Sequence, residues 1–111
     1  MLERYLDYLR AEKGLATQTL NAYRGDLSDL QSFLRRKKIA SPVEARPRDL
    51  SEYLLGLSRR GCKARSVARR LIAFRGFFRF LVREGVLEKN PALEIELPKG
   101  SRKLPDLLSV Q

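Results

Sequence analysis

The stretch ARSVARRLIAFRGFFRFLVREG, residues 64–85, decides how the chain folds. Val67, Leu71, Phe74, Phe78 and Leu81 recur in it at steps of three and four. That spacing aligns them on one face of an α-helix, and no period-two alternation competes with it. The pattern predicts a helix over roughly 64–84, stopped by Gly85, with Ser66 or a neighbour bonding the free amides at its start. At about 100° per residue, Arg65, Arg69, Arg79 and Arg83 project opposite the apolar stripe, with Ala73 and Gly76 among them. Small residues there have two readings: they let the backbone approach base edges in a DNA groove, or they seat another helix. For Gly76 the two stand level, because a mid-helix glycine costs about 1 kcal/mol against alanine and so needs a close approach of one kind or the other. Phe74, Phe77, Phe78 and Phe80 fall on or beside the apolar stripe and read as core, not as a platform for stacked bases.

The same stretch carries most of the charge. The chain of 111 residues has a formal charge of +10. Residues 59–83 hold nine basic and no acidic side chains, whereas residues 1–58 hold ten and eight and residues 84–111 hold four and five. A solvated surface mixes signs, but a one-sign block on a folded element is an electrostatic footprint for a polyanion. Nucleic acid is the first candidate partner, ahead of an anionic membrane surface.

Outward from this segment, helices continue in both directions. Residues 2–13 place Leu2, Tyr5, Leu6 and Leu9 at helical spacing, ended by Gly14. Residues 17–35 place Leu20, Tyr23, Leu27, Leu30 and Leu34 on one face, with Thr17 as the expected N-cap and Arg35 to Lys38 at the negative end of the dipole. A loop through Pro42 and Pro47 follows, and Pro47 can open a third helix carrying Leu50, Tyr53, Leu54 and Leu57. Asn90-Pro91 is an N-cap and N1 pair for a short fifth helix over residues 91–93. The expectation is an all-α, compact four- to five-helix bundle over residues 1–97, with a linker over 98–111 in which Leu104, Leu107, Leu108 and Val110 have nothing local to pack against.

Several chemistries are excluded or disfavoured by composition. The chain has one cysteine, Cys62, and no histidine, so it lacks an internal disulfide, a transition-metal set and any Ser-His or Cys-His arrangement. No metal, other cofactor or small-molecule ligand is expected. Carboxylate pairs such as Asp26 with Asp29 and Glu94 with Glu96 read as exposed, solvated groups. Cys62 beside Lys63 is a candidate reactive thiol, although an incidental surface cysteine is the commoner case. The four tyrosines lie largely on apolar stripes and read as packing. The first fifteen residues form no signal-peptide core and no run approaches a membrane span, so a cytoplasmic protein is expected.

The second helix offers a different polar face. Gln18, Asn21, Ala22, Gly25 and Ser28 point away from its leucines and carry no charge, and Thr19 and Arg24 flank them. Amides can read adenine bidentately, and a hydroxyl or guanidinium at a helix edge suits phosphate oxygens; an ordinary solvated face is the equal alternative.

Three blocks of sequence resemble the N-terminal, core-binding (SAM-like) domain of tyrosine recombinases, the Xer-type enzymes and phage-integrase relatives in particular. They are Tyr8–Leu15 with Thr19–Leu27, then Ala64–Arg75 with Phe77–Gly85, and last Asn90-Pro91-Ala92 with Leu97-Pro98-Lys99 and Lys103-Leu104-Pro105. The resemblance spans almost the whole chain in the family's order. It implies a helical domain of lambda-integrase type that clamps one side of double-stranded DNA at a recombination site, with the second and fourth helices at adjacent major grooves. It also implies that recombinase subunits assemble as a tetramer on DNA, and that Thr19, Arg24, Ser66, Arg69 and Arg75 match motif positions at or beside DNA. With the residues reasoned from face and charge, the candidate DNA-binding set is Gln18, Thr19, Asn21, Arg24, Lys63, Arg65, Ser66, Arg69, Arg70 and Arg75. Two positions depart from the pattern: Ala16 stands where relatives often have a capping serine, and Gly25 where a second arginine commonly follows. The family's catalytic residues belong to a separate C-terminal domain, so this stretch is expected not to be an enzyme by itself. A helical protein-interaction module and a stand-alone accessory DNA binder are the competing expectations.

Overall fold

The computed structural model describes residues 2–95. Within these residues four α-helices follow one another, α1 (Leu2–Lys13), α2 (Thr17–Arg36), α3 (Pro47–Arg59) and α4 (Ala64–Arg83), with a 3₁₀ turn, Pro42–Glu44, between α2 and α3. No strand occurs among the described residues. Among the described residues the bundle has four α-helices; the expected fifth is a turn over residues 91–94. Asn90 does serve there as the predicted cap, its Oδ1 accepting from Ala92 N at 2.9 Å, but the chain turns only once before Ile95. Ala92 and Ile95 nevertheless close the core, at 0% and 4% exposure. The expected linker at 98–111 lies outside the described residues.

Helices α2 and α4 each touch the other three helices. Val67, Phe74 and Phe78 are fully enclosed. Tyr5 of α1 meets Phe77 edge to face with centroids 5.5 Å apart, and Tyr53 of α3 meets Phe74 at 5.6 Å. Each fully buried Phe or Leu contributes about 1.5–3 kcal/mol of transfer free energy, which is how a chain of this size holds four helices together without cross-links.

The helix ends show which local signals were used. Gly85, at φ +80°, turns the chain back so that Val86 N donates to the carbonyl of Leu81 at 2.9 Å, closing α4 as expected. Helix α2 ends on a left-handed residue too, but it is Lys38 at φ +65°, with Ile39 N donating to Leu34 O at 2.8 Å. Nothing in a lysine marks that conformation. Two capping expectations are corrected. Thr17 is the first residue inside α2 and Ala16 occupies the cap position without a side-chain bond, while Lys63, not Ser66, flanks α4, again without one. Pro47 does open α3, where the Asp49 carboxylate accepts from Arg46 N at 2.9 Å.

Candidate nucleic-acid interface

Helix α4 is buried on so much of its circumference that its exposed residues form a single line. They are Arg65, Arg69, Ile72, Arg79 and Arg83, with half-buried Gly76 completing the i, i+4, i+7 progression. This is the cationic face read from the sequence, and it exists because the phenylalanines and leucines turn inward. Lys63 is exposed just before the helix, and Arg59 and Arg60 are exposed where α3 ends.

Not every arginine on the helix is free. Arg69 donates through Nε (3.2 Å) and Nη2 (2.9 Å) to the two oxygens of Asp26. Arg70 donates through Nη1 to Asp29 at 3.0 Å and to the hydroxyl of Tyr53, and its Nε lies 3.6 Å from Asp26. The Tyr53 hydroxyl in turn donates to Asp29, and burial, followed by that hydrogen bond, pushes its phenol above the ordinary range. Asp26 is 3% exposed, which corrects the expectation of a solvated carboxylate: it is a buried counter-charge that locks α2 to α4. Asp29 remains largely exposed, yet it too serves this network.

Arg75 is half-buried and holds the C-terminal turn, its Nε donating to Ala92 O at 3.2 Å and its Nη2 to Ile95 O at 3.1 Å, while Asn90 Nδ2 donates to the backbone carbonyl of Arg75 at 3.1 Å. Arg24 pairs with Glu3 of α1. Among the described residues, seven of the nine cations in the basic segment make no ion pair: half-buried Arg75, and Arg59, Arg60, Lys63, Arg65, Arg79 and Arg83, which are all exposed. Arg83 instead donates to the Tyr8 hydroxyl at 2.7 Å and lies over its ring.

On α2, Gln18, Asn21, Gly25 and Ser28 are exposed, Thr19 and Ala22 half-buried. The uncharged face therefore forms, and Asp26 joins its helix to α4 at Arg69. Ser66 is half-buried near the start of α4. Cys62 is exposed and free. Among the described residues no three His, Cys, Asp or Glu gather into a metal-sized cluster, and no helix is long and apolar enough to cross a membrane.

The Gly76 question is answered by α1. A Cβ built at Gly76 would stand 2.5 Å from the Tyr5 hydroxyl oxygen, so the glycine is there to seat a neighbouring helix. Ala73, 2% exposed, is likewise inside the protein and not on a groove-facing surface.

The model of the phage integrase N-terminal SAM-like domain matches residues 2–85, which takes in all four helices. The chain belongs to this family. The SAM-like domain is the non-catalytic, N-terminal part of tyrosine recombinases, and membership supports the DNA-binding role typical of their core-binding domain. Among curated relatives, the chain is 38% identical over 111 residues to "Tyrosine recombinase XerD" of Staphylococcus haemolyticus, covering 100% of this chain and 38% of the relative. It is 44% identical over 106 residues to XerD of Bradyrhizobium diazoefficiens, covering 96% and 33%. To "Tyrosine recombinase XerC" of Stutzerimonas stutzeri it is 38% identical over 107 residues, covering 96% and 36%. The SAM-like chain thus spans little more than a third of the length of these relatives. No solved structure matches it significantly.

Proposed function

We propose that this SAM-like domain grips double-stranded DNA at a recombination site on behalf of a tyrosine recombinase, in a cytoplasmic setting, with subunits that assemble as a tetramer on the DNA. The observation that carries the reading is the line Arg65, Arg69, Arg79 and Arg83 on a helix otherwise packed into the core. At about 1.5 Å per residue this line is roughly 27 Å long, enough to track one groove wall past several phosphates.

The division of labour follows from the pairing. Lys63 and Arg65 keep full charge and neutralise phosphates. Arg69 and Arg70 are held by carboxylates, buried Asp26 and exposed Asp29, and contribute direction more than charge: with Nε and one Nη2 hydrogen on Asp26, Arg69 still presents its outer Nη hydrogens, the pair that suits a guanine edge. Gln18, Thr19, Asn21, Arg24 and Ser66 contribute hydrogen bonds to bases or phosphates from α2 and the start of α4. Arg75 stands beside the contact surface and fixes the turn after α4. Residues 98–111 are proposed as the linker to a catalytic domain that makes and reseals the DNA breaks.

Anisotropy titration of a labelled duplex tests this. The 111-residue chain should bind duplex at low salt, and Arg65→Gln should weaken binding about three- to tenfold with an unchanged melting temperature. Absence of duplex binding at low ionic strength would overturn the proposal.

A further inference from the structure

Between α1 and α4 lies a recess of about 250 Å³ whose polar lining comes from Tyr5, Tyr8, Lys13, Arg79 and Arg83, with Gly76 at its floor. No carboxylate lines it. Three carboxylates adjoin lining residues in sequence, Asp7, Glu12 and Glu84, and none is in the lining; Glu84 is engaged by Arg4 at 2.8 Å and Asp7 lies 4.0 Å from Arg10. Tyr5 is 5% exposed, and its hydroxyl reaches the floor at Gly76 without a hydrogen bond to any described residue. Burial, then the neighbouring Tyr23, pushes that phenol up to about 12 against the opposing pull of the Arg79 charge, so at neutral pH it carries its proton. Arg79 is exposed and makes no ion pair among the described residues; the same holds for Lys13. Because Arg83 donates to the oxygen of Tyr8, the hydroxyl hydrogen of Tyr8 is left for another acceptor.

Three cations and two hydroxyl donors converge on a space without an acid. A buried donor left unbonded costs about 1–3 kcal/mol, a cost that an acceptor entering the recess would offset. The ligand chemistry that fits is a tetrahedral oxyanion with several acceptor oxygens and a negative charge. We infer that this recess is a phosphate pocket, in which Arg79 and Arg83 neutralise the charge while Tyr5 and Tyr8 donate hydrogen bonds, and that its occupant is a backbone phosphate of duplex DNA. The choice of DNA over free phosphate rests on the proposed function, and on Arg79 and Arg83 continuing the line that begins at Arg65. The pocket would extend the footprint from α4 onto α1, where none of the sequence-derived candidates lies.

The test compares the whole chain with the double variant Arg79→Gln/Arg83→Gln and with Tyr5→Phe, which keeps the ring in the core. Duplex binding is measured across a salt series, and inorganic phosphate is titrated against tyrosine fluorescence. The double variant should bind duplex about tenfold more weakly and lose about one to two from its log–log salt slope, whereas Tyr5→Phe should lose about two- to fivefold with its slope unchanged. Melting temperatures report that both variants are folded. If the native chain binds duplex and both variants bind it equally well, the pocket is overturned and the DNA-binding proposal stands. If the native chain binds no duplex, the proposed function fails, and the phosphate arm decides the pocket alone: a fluorescence response lost in the double variant supports it, and no response overturns it. A phosphate response lost in the double variant, with duplex affinity unchanged, overturns DNA as the source of the phosphate.

Discussion

A double-mutant cycle at Gly76 and Tyr5 probes the contact on which the α1–α4 packing depends. Alanine in place of a mid-helix glycine is worth about 1 kcal/mol in helix propensity. At Gly76 that gain meets an obstacle, since the added methyl would stand 2.5 Å from the Tyr5 hydroxyl oxygen. The tyrosine has little room to yield: its ring packs against Phe77 and Phe80, with centroids 5.5 Å and 5.4 Å away. Overpacking of this kind costs about 1–3 kcal/mol, so Gly76→Ala alone should be neutral or destabilising by up to about 2 kcal/mol. In a Tyr5→Phe background the offending atom is gone, and the next nearest, Cζ, is 3.7 Å away, an ordinary contact. There the same substitution should stabilise by about 1 kcal/mol. Urea denaturation of the four proteins gives the coupling energy, expected at about 1–3 kcal/mol. Gly76→Ala stabilising equally in both backgrounds would refute the claim that α1 is what requires the glycine.

Other outcomes follow from the same contacts. Phe78→Ala, at a fully buried site, should cost about 3–5 kcal/mol by thermal or chemical denaturation, and a loss under 1 kcal/mol would contradict the core assignment. Asp26→Asn removes the buried counter-charge of Arg69 and Arg70; it should destabilise by about 1–3 kcal/mol while making the net charge more positive, so an unchanged urea midpoint would show that the pairs contribute nothing. Tyr5 sets an alkaline limit. Its phenol titrates near 12 in the folded chain and near 10 when unfolded, so between those values the unfolded state binds fewer protons; stability is unaffected below pH 10 and falls as pH rises towards about 12. Absorbance at the phenolate band should show a fraction of the tyrosines ionising only with unfolding, and free titration of all four near pH 10 would count against that burial.

Much of this was legible in the sequence because it is written as periodicity. The stripe of Val67, Leu71, Phe74 and Phe78 specifies both the helix and which way it faces, and the arginines opposite follow by geometry alone. What was not legible depends on pairings between helices. Asp26 looks like any polar residue on an amphipathic helix; only its placement against Arg69 makes it a buried counter-ion. Gly76 announces a close approach but not its partner, which lies more than seventy residues earlier in the chain. Lys38 adopts a glycine-like conformation without a glycine-like signature. Asn90-Pro91 carries a true capping signal, but a cap starts a turn and cannot supply the residues that would extend it into a helix. The pairing also changes how candidates are tested: Arg69→Ala strips a partner from Asp26 and so confounds binding with folding, whereas Arg65, exposed and unpaired among the described residues, does not.

The most direct measurement is the affinity of the 111-residue chain for duplex DNA as monovalent salt is raised. Six exposed cations around α4 that make no ion pair among the described residues, about five of them reaching phosphates, predict that log K falls linearly with log salt at a slope of about −4 to −5. An affinity indifferent to salt would contradict the account.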